Sequence, residues 1–258
     1  MHRLVQAVTR TPSPGDPHRD PQAIDAAHHQ ATGQLAAAIP ADWQDPAGWP
    51  GWRMLLPHVE ALASHSPPDT DTQATAYLLN QAGLFLEDQG QPGRAAGYLQ
   101  RALADRLRVL GADHPDTLAS RNNLAYAFQA AGDLGRAIPL HEQVLADSAR
   151  VLGADHPDTL TSRNNLAYAY ESAGDLGRAI PLHEQALADR LRVLGADHPD
   201  TLASRNNLAS AYESAGDLGR AIPLYEQALA DSARVLGADH PQTKIVRGNL
   251  AVARQHPQ

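Results

Sequence analysis

Pairs of adjacent asparagines recur along the chain at a fixed spacing of 42 residues. They stand at Asn122-Asn123, Asn164-Asn165 and Asn206-Asn207, and a single Asn249 follows one period later. A primary amide carries both a hydrogen-bond donor and an acceptor, as the peptide group does. A column of such side chains can therefore pair with the backbone of an extended polypeptide without reading its sequence.

Other arrangements of reactive side chains do not predict catalysis. The patterns G-x-x-x-x-G-K-[ST], G-x-S-x-G and H-E-x-x-H are all absent, and His141-Glu142-Gln143 lacks the second histidine. Four of the thirteen histidines recur once per period: His114, His156, His198 and His240. Helices that pack about 8–10 Å apart keep them too distant for one ion with ~2 Å ligand bonds. We interpret them as residues at helix entrances, and we expect no enzyme activity, no metal and no cofactor.

The composition predicts which classes of partner the chain does not bind. The formal net charge is −8, whereas nucleic-acid binding usually requires a basic stripe. No stretch approaches the roughly 18 apolar residues of a membrane helix, and the chain has no cysteine. The opening segment is also too short and too polar for a secretory signal. These features predict a cytoplasmic protein with neither a nucleic-acid nor a membrane partner.

The spacing of the asparagines belongs to a longer repeat that must position them. A run beginning at Asp113 returns almost letter for letter at Asp155 and Asp197, which indicates a stacked array of similar units. Within the unit 110–151, glycine and proline punctuation predicts one helix over 117–131 and a second over about 134–152. Gly132 ends the first helix, and Asp133 can cap the second. The fold class predicted is all-α, a right-handed α-solenoid of stacked antiparallel helical hairpins.

The residues inside each unit are similar to a known family. Leu124-Ala125, Phe128, Gly132-Asp133, Ala137-Ile138 and Val144-Leu145 match the small-and-large pattern of tetratricopeptide repeats (TPRs) in order and spacing. The signature LG-x-DHPDT…NNLA-x-x-Y resembles the 42-residue kinesin-light-chain subtype. The match covers roughly residues 68 to 254. The family proline that closes the second helix is missing, and Ala149 stands near its position.

The segment before the repeats carries a second, much shorter resemblance. MHRLVQAVTR resembles the end of the winged-helix region of bacterial NB-ARC/STAND-type signalling NTPases, with Arg3 in place of an aspartate. This resemblance implies the sensor arm of such a protein. We divide the chain into a remnant helix with a Pro-rich linker (1–20), an N-terminal helical pair (21–66), a degenerate TPR (68–109), three TPRs (110–151, 152–193 and 194–235) and a truncated repeat with a capping helix (236–258).

The family resemblance implies where a partner binds. In TPR proteins the first helix of each hairpin lines a concave groove. The matching positions in this chain are Ala119, Asn122, Tyr126 and Gln129; then Thr161, Asn164, Tyr168 and Glu171; then Ala203, Asn206, Ser210 and Glu213. Asn123, Asn165, Asn207 and Asn249 form a second column beside them. The alternative is that one asparagine of each pair bonds neighbouring backbone and locks the hairpins together.

Differences between the copies bear on the same groove. Units 110–151 and 152–193 differ at seven positions, four of them in the first helix: Ala119/Thr161, Phe128/Tyr170, Gln129/Glu171 and Ala130/Ser172. Divergence aimed at a ligand would produce this distribution, and so would neutral drift. Arg121, Arg163 and Arg205 flank the groove or pair with nearby carboxylates. We expect a scaffold that binds a protein or an extended peptide, uncharged or mildly basic. A self-assembling solenoid and a regulatory fragment acting in trans on an NTPase remain as alternatives.

Overall fold

The computed structural model describes residues 15–16, 20–65 and 71–255. These ranges contain a one-turn 3-10 helix (Pro46–Gly48), no β-strand and eleven α-helices. The helices are α1 (Pro21–Ala38), α2 (Trp49–His65), α3 (Gln73–Asp88), α4 (Pro92–Leu110), α5 (Pro115–Ala130), α6 (Leu134–Val151), α7 (Pro157–Ser172), α8 (Leu176–Leu194), α9 (Pro199–Ser214), α10 (Leu218–Val235) and α11 (Pro241–Gln255). The all-α repeat of helical hairpins predicted from the sequence is confirmed. The NB-ARC-like opening, MHRLVQAVTR, lies outside the described residues.

The chain forms two compact units, Met1–Asn123 and Leu124–Gln258, and each is described by itself. None of the helices in the described part combines the length and the apolar character needed to cross a membrane.

Short polar motifs set the ends of the repeat helices. The Nδ1 atom of His156 accepts a hydrogen bond from the backbone N–H of Asp158 at 3.2 Å, so this histidine caps α7. His114, His198 and His240 make the equivalent bond. At the other end of α7, Gly174 has φ +75°, and the N–H of Asp175 bonds the carbonyl of Tyr170 at 2.9 Å. Asp175 then caps α8 through the N–H of Arg178, so three residues reverse the chain.

Unit 1 joins the N-terminal pair to the first repeat. Helices α1 and α2 both pack on α3, and α3 pairs with α4. Trp52 is fully buried and stacks on Phe85 with ring centroids 5.1 Å apart. The apolar side chains of Val59, Leu78 and Leu79 complete this core. The N-terminal helix pair, which does not belong to the repeats, thus covers one side of α3, the first helix of the degenerate repeat.

The degenerate repeat of unit 1 contains a buried pair of carboxyl groups. Asp105 is equivalent to Asp189 and Asp231, which pair with arginines, but Leu79 stands one period before Arg121. Asp105 lies beside Asp71 and 3.5 Å from Nη2 of Arg108, and both aspartates are at least 97 % buried. Burial, together with the hydrogen bond and charge of Asp71, raises the pKa of Asp105 to about 7, although Arg108 and Arg101 act in the opposite direction.

Unit 2 is built from small residues where its helices approach each other. Ala167, Ala179, Ala209 and Ala221 are fully buried, which allows close contact between the helices of each hairpin. Larger side chains fill the remaining space in the last hairpin, where Tyr212, Tyr225, Val246 and Leu250 form one cluster. The first helices α7, α9 and α11 lie side by side, and α8 and α10 pack against them.

Ion pairs link successive elements of unit 2. Arg205 is 4 % exposed and pairs with Asp231 at 2.6 Å, and Arg163 pairs with Asp189 in the same way. Arg163 and Arg205 therefore pair with nearby carboxylates, which is one of the two roles expected from the sequence. Exposed pairs also join residues 37 apart within one hairpin, including Arg192 with Asp155 at 2.7 Å, but such surface pairs contribute little to stability.

Candidate binding face

The first helices of unit 2 present the predicted groove positions on one side, here called the A face. The A face is the side of α7, α9 and α11 that carries the positions of Asn164, Tyr168 and Glu171 and their equivalents in the next two helices. The asparagines on it are half-buried, whereas Tyr168 is 53 % exposed. The equivalent residues of α5 follow the same pattern: Asn122, Asn123 and Gln129 are half-buried, and Tyr126 is 46 % exposed.

The two asparagine columns have different roles. Asn207 donates from Nδ2 to Oδ1 of Asn164 at 3.1 Å, and Asn249 donates to Asn206 at the same distance. In unit 1, Asn123 donates to Asn80 at 3.2 Å. The second column therefore bonds to the first column of the preceding hairpin. The alternative expected from the sequence is that one asparagine of each pair locks the hairpins together through neighbouring backbone. The bond does link hairpins, but its acceptor is a side chain and not the backbone.

The lock leaves donors available on the first column. Asn164 and Asn206 use Oδ1 to accept the bond from the second column. Their Nδ2 groups have no hydrogen-bond partner among the described residues. Each such group has two N–H donors on a half-buried side chain. Asn165 has the second-column position in α7 and is also half-buried.

The last of the four predicted groove positions in each helix contacts the second helix of its hairpin. Gln129 lies 3.1 Å from Nε2 of the fully buried His141, and burial lowers the pKa of that histidine to about 4. Tyr225 donates to Glu213 at 2.7 Å, and burial and this carboxylate raise the pKa of its phenol. The second helix of the hairpin therefore holds both Gln129 of α5 and Glu213 of the A face.

Glu171 has the most contacts of these three residues. Its Oε1 accepts bonds from Ser210 at 3.1 Å and Ser214 at 3.2 Å, and its Oε2 lies 3.3 Å from Nε2 of buried His183. The carboxylate thus joins α7 to α8 and α9. It adds a negative charge to the A face while its oxygens are largely occupied.

Several of the positions that vary between copies contact a neighbouring hairpin. Gln129 donates to Ser172 at 3.4 Å, and Ser172 is the residue that replaces Ala130. Tyr170, which replaces Phe128, donates its hydroxyl to Glu142. These contacts supply a structural reason for part of the divergence, which the sequence pattern alone could not separate from selection by a ligand.

Two apolar residues of the A face were missed by the sequence reasoning. Ile245 and Val252 of α11 are 58 % and 49 % exposed. They lie one period after Ala203 and Ser210. The 42-residue spacing itself could have found them, because the last copy continues the same columns.

The described residues offer no alternative metal chemistry at this face. Across 15–16, 20–65 and 71–255, no three His, Asp or Glu side chains are grouped so that they could hold an ion. The repeated histidines are engaged in helix capping. The chemistry available on the A face is therefore amide donors, exposed aromatic and aliphatic side chains, and two carboxylates.

Comparison with known proteins agrees with this architecture. The tetratricopeptide repeat model matches residues 73–147, 122–191 and 178–232. Among solved structures, the chain is similar to the nearly identical TPR-like repeats of a Podosopora anserina protein assigned as a kinesin light chain. The TM-score is 0.62 and the identity 34 %, over 72 % of this chain and 88 % of that one. No curated protein matches the chain.

More distant structures share the fold alone. BtubC (BKLC) from P. vanneervenii has a TM-score of 0.58 at 20 % identity, over 84 % of this chain and 92 % of that one. A Rap protein complexed with competence and sporulation factor has a TM-score of 0.57 at 12 % identity, over 90 % of this chain and 63 % of that one.

Proposed function

Because the chain belongs to the tetratricopeptide repeat family, we propose that it is a non-catalytic scaffold that binds an extended protein segment on the A face. The observation that carries the proposal is the pair of Nδ2 groups on Asn164 and Asn206, for which the described part of the chain supplies no hydrogen-bond acceptor. Side-chain N–H groups at a regular spacing can bond successive carbonyl oxygens of an extended backbone. The exposed ring of Tyr168 offers apolar area beside them.

In the first column, Oδ1 accepts the bond between hairpins and Nδ2 is the proposed donor to the bound segment, so the two roles can be tested separately. The double change Asn164→Asp and Asn206→Asp keeps an oxygen to accept the bonds from Asn207 and Asn249 and replaces each donor NH2 by a second oxygen. A matched control places the same two charges on the second helices, at the exposed amides Gln143 and Gln227, as Gln143→Glu and Gln227→Glu. The probe is a phage-displayed library of random peptides selected on the wild-type chain.

The scaffold proposal predicts that selected peptides lose at least about tenfold in affinity for the Asn→Asp variant and keep their affinity for the control. Equal affinities for all three proteins would contradict binding through the first column. Light scattering over a dilution series separates the self-assembling alternative. A mass that rises with concentration, together with a library that yields no binder, would replace the scaffold proposal by self-association.

We also propose that the chain is associated with an NTPase. The segment MHRLVQAVTR supports a role as the sensor arm of a bacterial NB-ARC-type signalling protein, or as a fragment acting on one in trans. Co-purification of the chain with an NTPase module, lost on deletion of residues 1–10 and kept by the Asn→Asp variant, is the expected result. Retention after that deletion would contradict the assignment of this segment.

A further inference from the structure

The three helices of the A face differ in the size of the side chains they present. Two positions seven residues apart lie on the same side of each helix. In α7 these positions hold Thr161 and Tyr168, in α9 Ala203 and Ser210, and in α11 Ile245 and Val252. Those of α7 and α11 are exposed, and those of α9 are half-buried. The small pair thus lies between two larger pairs.

The position of Ile245 and Val252 on the A face is inferred from the equivalent residues of the preceding hairpins. Their equivalents Thr161 and Tyr168 are exposed although another hairpin follows them. In contrast, the residues of α11 that a following helix would cover are Lys244 and Arg247, whose equivalents in α9 are buried. The apolar pair of α11 therefore belongs to the A face and not to the end of the array.

We call the small pair of α9, together with the larger pairs of α7 and α11 on either side of it, the trough. Ser210 is tied to Glu171 of α7 at 3.1 Å, and Asn249 of α11 is tied to Asn206 at 3.1 Å, so both neighbouring helices are held beside α9. The replacement of Tyr168 by Ser210 one period later removes a phenol ring from the column. Tyr168 on one side and Ile245 and Val252 on the other are larger than Ala203 and Ser210, and Asn206 lies between these two small residues in α9.

The two ends of the trough differ in charge. Glu171 and Glu213 lie at the end where α7 and α9 finish, and the carboxyl ends of helices add partial negative charge. Lys244, near the other end of α11, lies on the side that a following helix would cover, and Asp239 at 3.6 Å offsets its charge. A cation in a bound segment is therefore favoured beside Glu171 and Glu213.

We propose that the trough over α9 receives a large apolar side chain of the bound segment, with a lysine or arginine next to it on the side of Glu171 and Glu213. This inference rests on the proposed function, because it names the kind of segment that the A face selects. The residue that determines this specificity is Ser210, since a side chain of the size found at Tyr168 would fill the trough.

The test uses the substitution Ser210→Tyr in the full chain, with the same phage-displayed library as probe. Tyrosine occupies this position in the two preceding hairpins, as Tyr126 and Tyr168, so the fold already accommodates it. The control is Ala188→Tyr, which adds the same ring at an exposed position of α8. Circular dichroism at 222 nm confirms that both variants are folded.

Peptides selected on the wild type are expected to share one large apolar position and one adjacent Lys or Arg. Ser210→Tyr is expected to weaken them about tenfold or more, and Ala188→Tyr is not. Peptides that need Asn164 and Asn206 but tolerate Ser210→Tyr would overturn the trough and leave the scaffold standing. Peptides that tolerate both the Asn→Asp and the Ser210→Tyr changes would overturn the scaffold as well.

Discussion

Nδ2 of Asn207 donates a hydrogen bond of 3.1 Å to Oδ1 of Asn164, which lies 43 residues earlier in the neighbouring hairpin. The bond uses the acceptor of one amide and a donor of the other. It therefore fixes the spacing of two helices and at the same time leaves Nδ2 of Asn164 available on the A face. Adjacent asparagines of one sequence motif therefore supply a contact between hairpins and, in the proposed function, a donor for the bound segment.

Removal of the second-column amide should affect stability first. Asn207→Ala deletes the donor to Asn164 and should lower the free energy of unfolding by about 0.5–1.5 kcal/mol. Asn164→Asp keeps the acceptor and should cost less. Urea denaturation followed by circular dichroism measures both. A larger loss for Asn164→Asp than for Asn207→Ala would contradict the assignment of the columns.

The carboxyl pair of unit 1 should make its stability depend on pH. The pKa of Asp105 rises from 3.8 to about 7 on folding, so the folded chain binds more protons than the unfolded chain between these values. Its contribution is therefore complete at low pH and is lost as the pH rises through about 7. Asp105→Asn, which needs no proton, should raise the free energy of unfolding at pH 8 by ~1–3 kcal/mol relative to the wild type.

The control for that experiment is Asp189→Asn, because Asp189 pairs with Arg163 where Asp105 has no equivalent arginine. This change removes an ion-pair partner and should destabilise the chain at pH 8. If both variants shift stability in the same direction, the carboxyl pair is not the cause.

His141 should give unit 2 the opposite dependence. Its pKa falls from 6.5 to about 4 on folding, so the unfolded chain binds more protons in that window. Stability is complete above pH 6.5 and is lost as the pH falls toward 4, by about 2 kcal/mol at pH 5 for this one residue. His141→Tyr places there the residue found at Tyr225 and should reduce the fall in melting temperature between pH 7 and pH 5. An unchanged fall would show that His141 is not responsible.

The first hairpin lacks a cap that the others have. Asp133, Asp175 and Asp217 each bond the N–H three residues on, at 3.0–3.1 Å. Gln91 holds this position before α4 and makes no such side-chain bond. Gln91→Asp should therefore raise the free energy of unfolding by about 0.5–1 kcal/mol. Gln91→Ala is the comparison, and equal midpoints in urea for the two variants would contradict the missing cap.

The helices were predictable because their signals are local. The Pro at the start, the Gly past the end and the Asp cap fall within a few residues of each helix boundary, and the predicted first helix 117–131 corresponds to α5, Pro115–Ala130. The sequence also predicts that the histidines before the prolines stand at helix entrances, and their Nδ1 atoms cap the helices.

The pairing of side chains across hairpins was not predictable in the same way. Asn207 meets Asn164, and Glu171 meets Ser210, because two separate helices lie side by side at one particular register. The sequence shows that Asn164 and Asn165 are adjacent but not which of them faces the neighbour. Likewise, the sequence shows that Leu79 stands where the later repeats have an arginine. It does not show that Asp105 is buried beside Asp71, which is what raises the pKa of Asp105.

The side-chain amide resonances of Asn164 and Asn206 report directly on binding at the first column. A 15N-labelled chain is titrated with a peptide selected from the random library, and the two NH2 groups are assigned by comparison with Asn164→Asp and Asn206→Asp. We expect both resonances to move progressively and to saturate with the peptide, while those of Gln143 and Gln227 stay in place. Saturable binding with no movement of the Asn164 and Asn206 amides would contradict it.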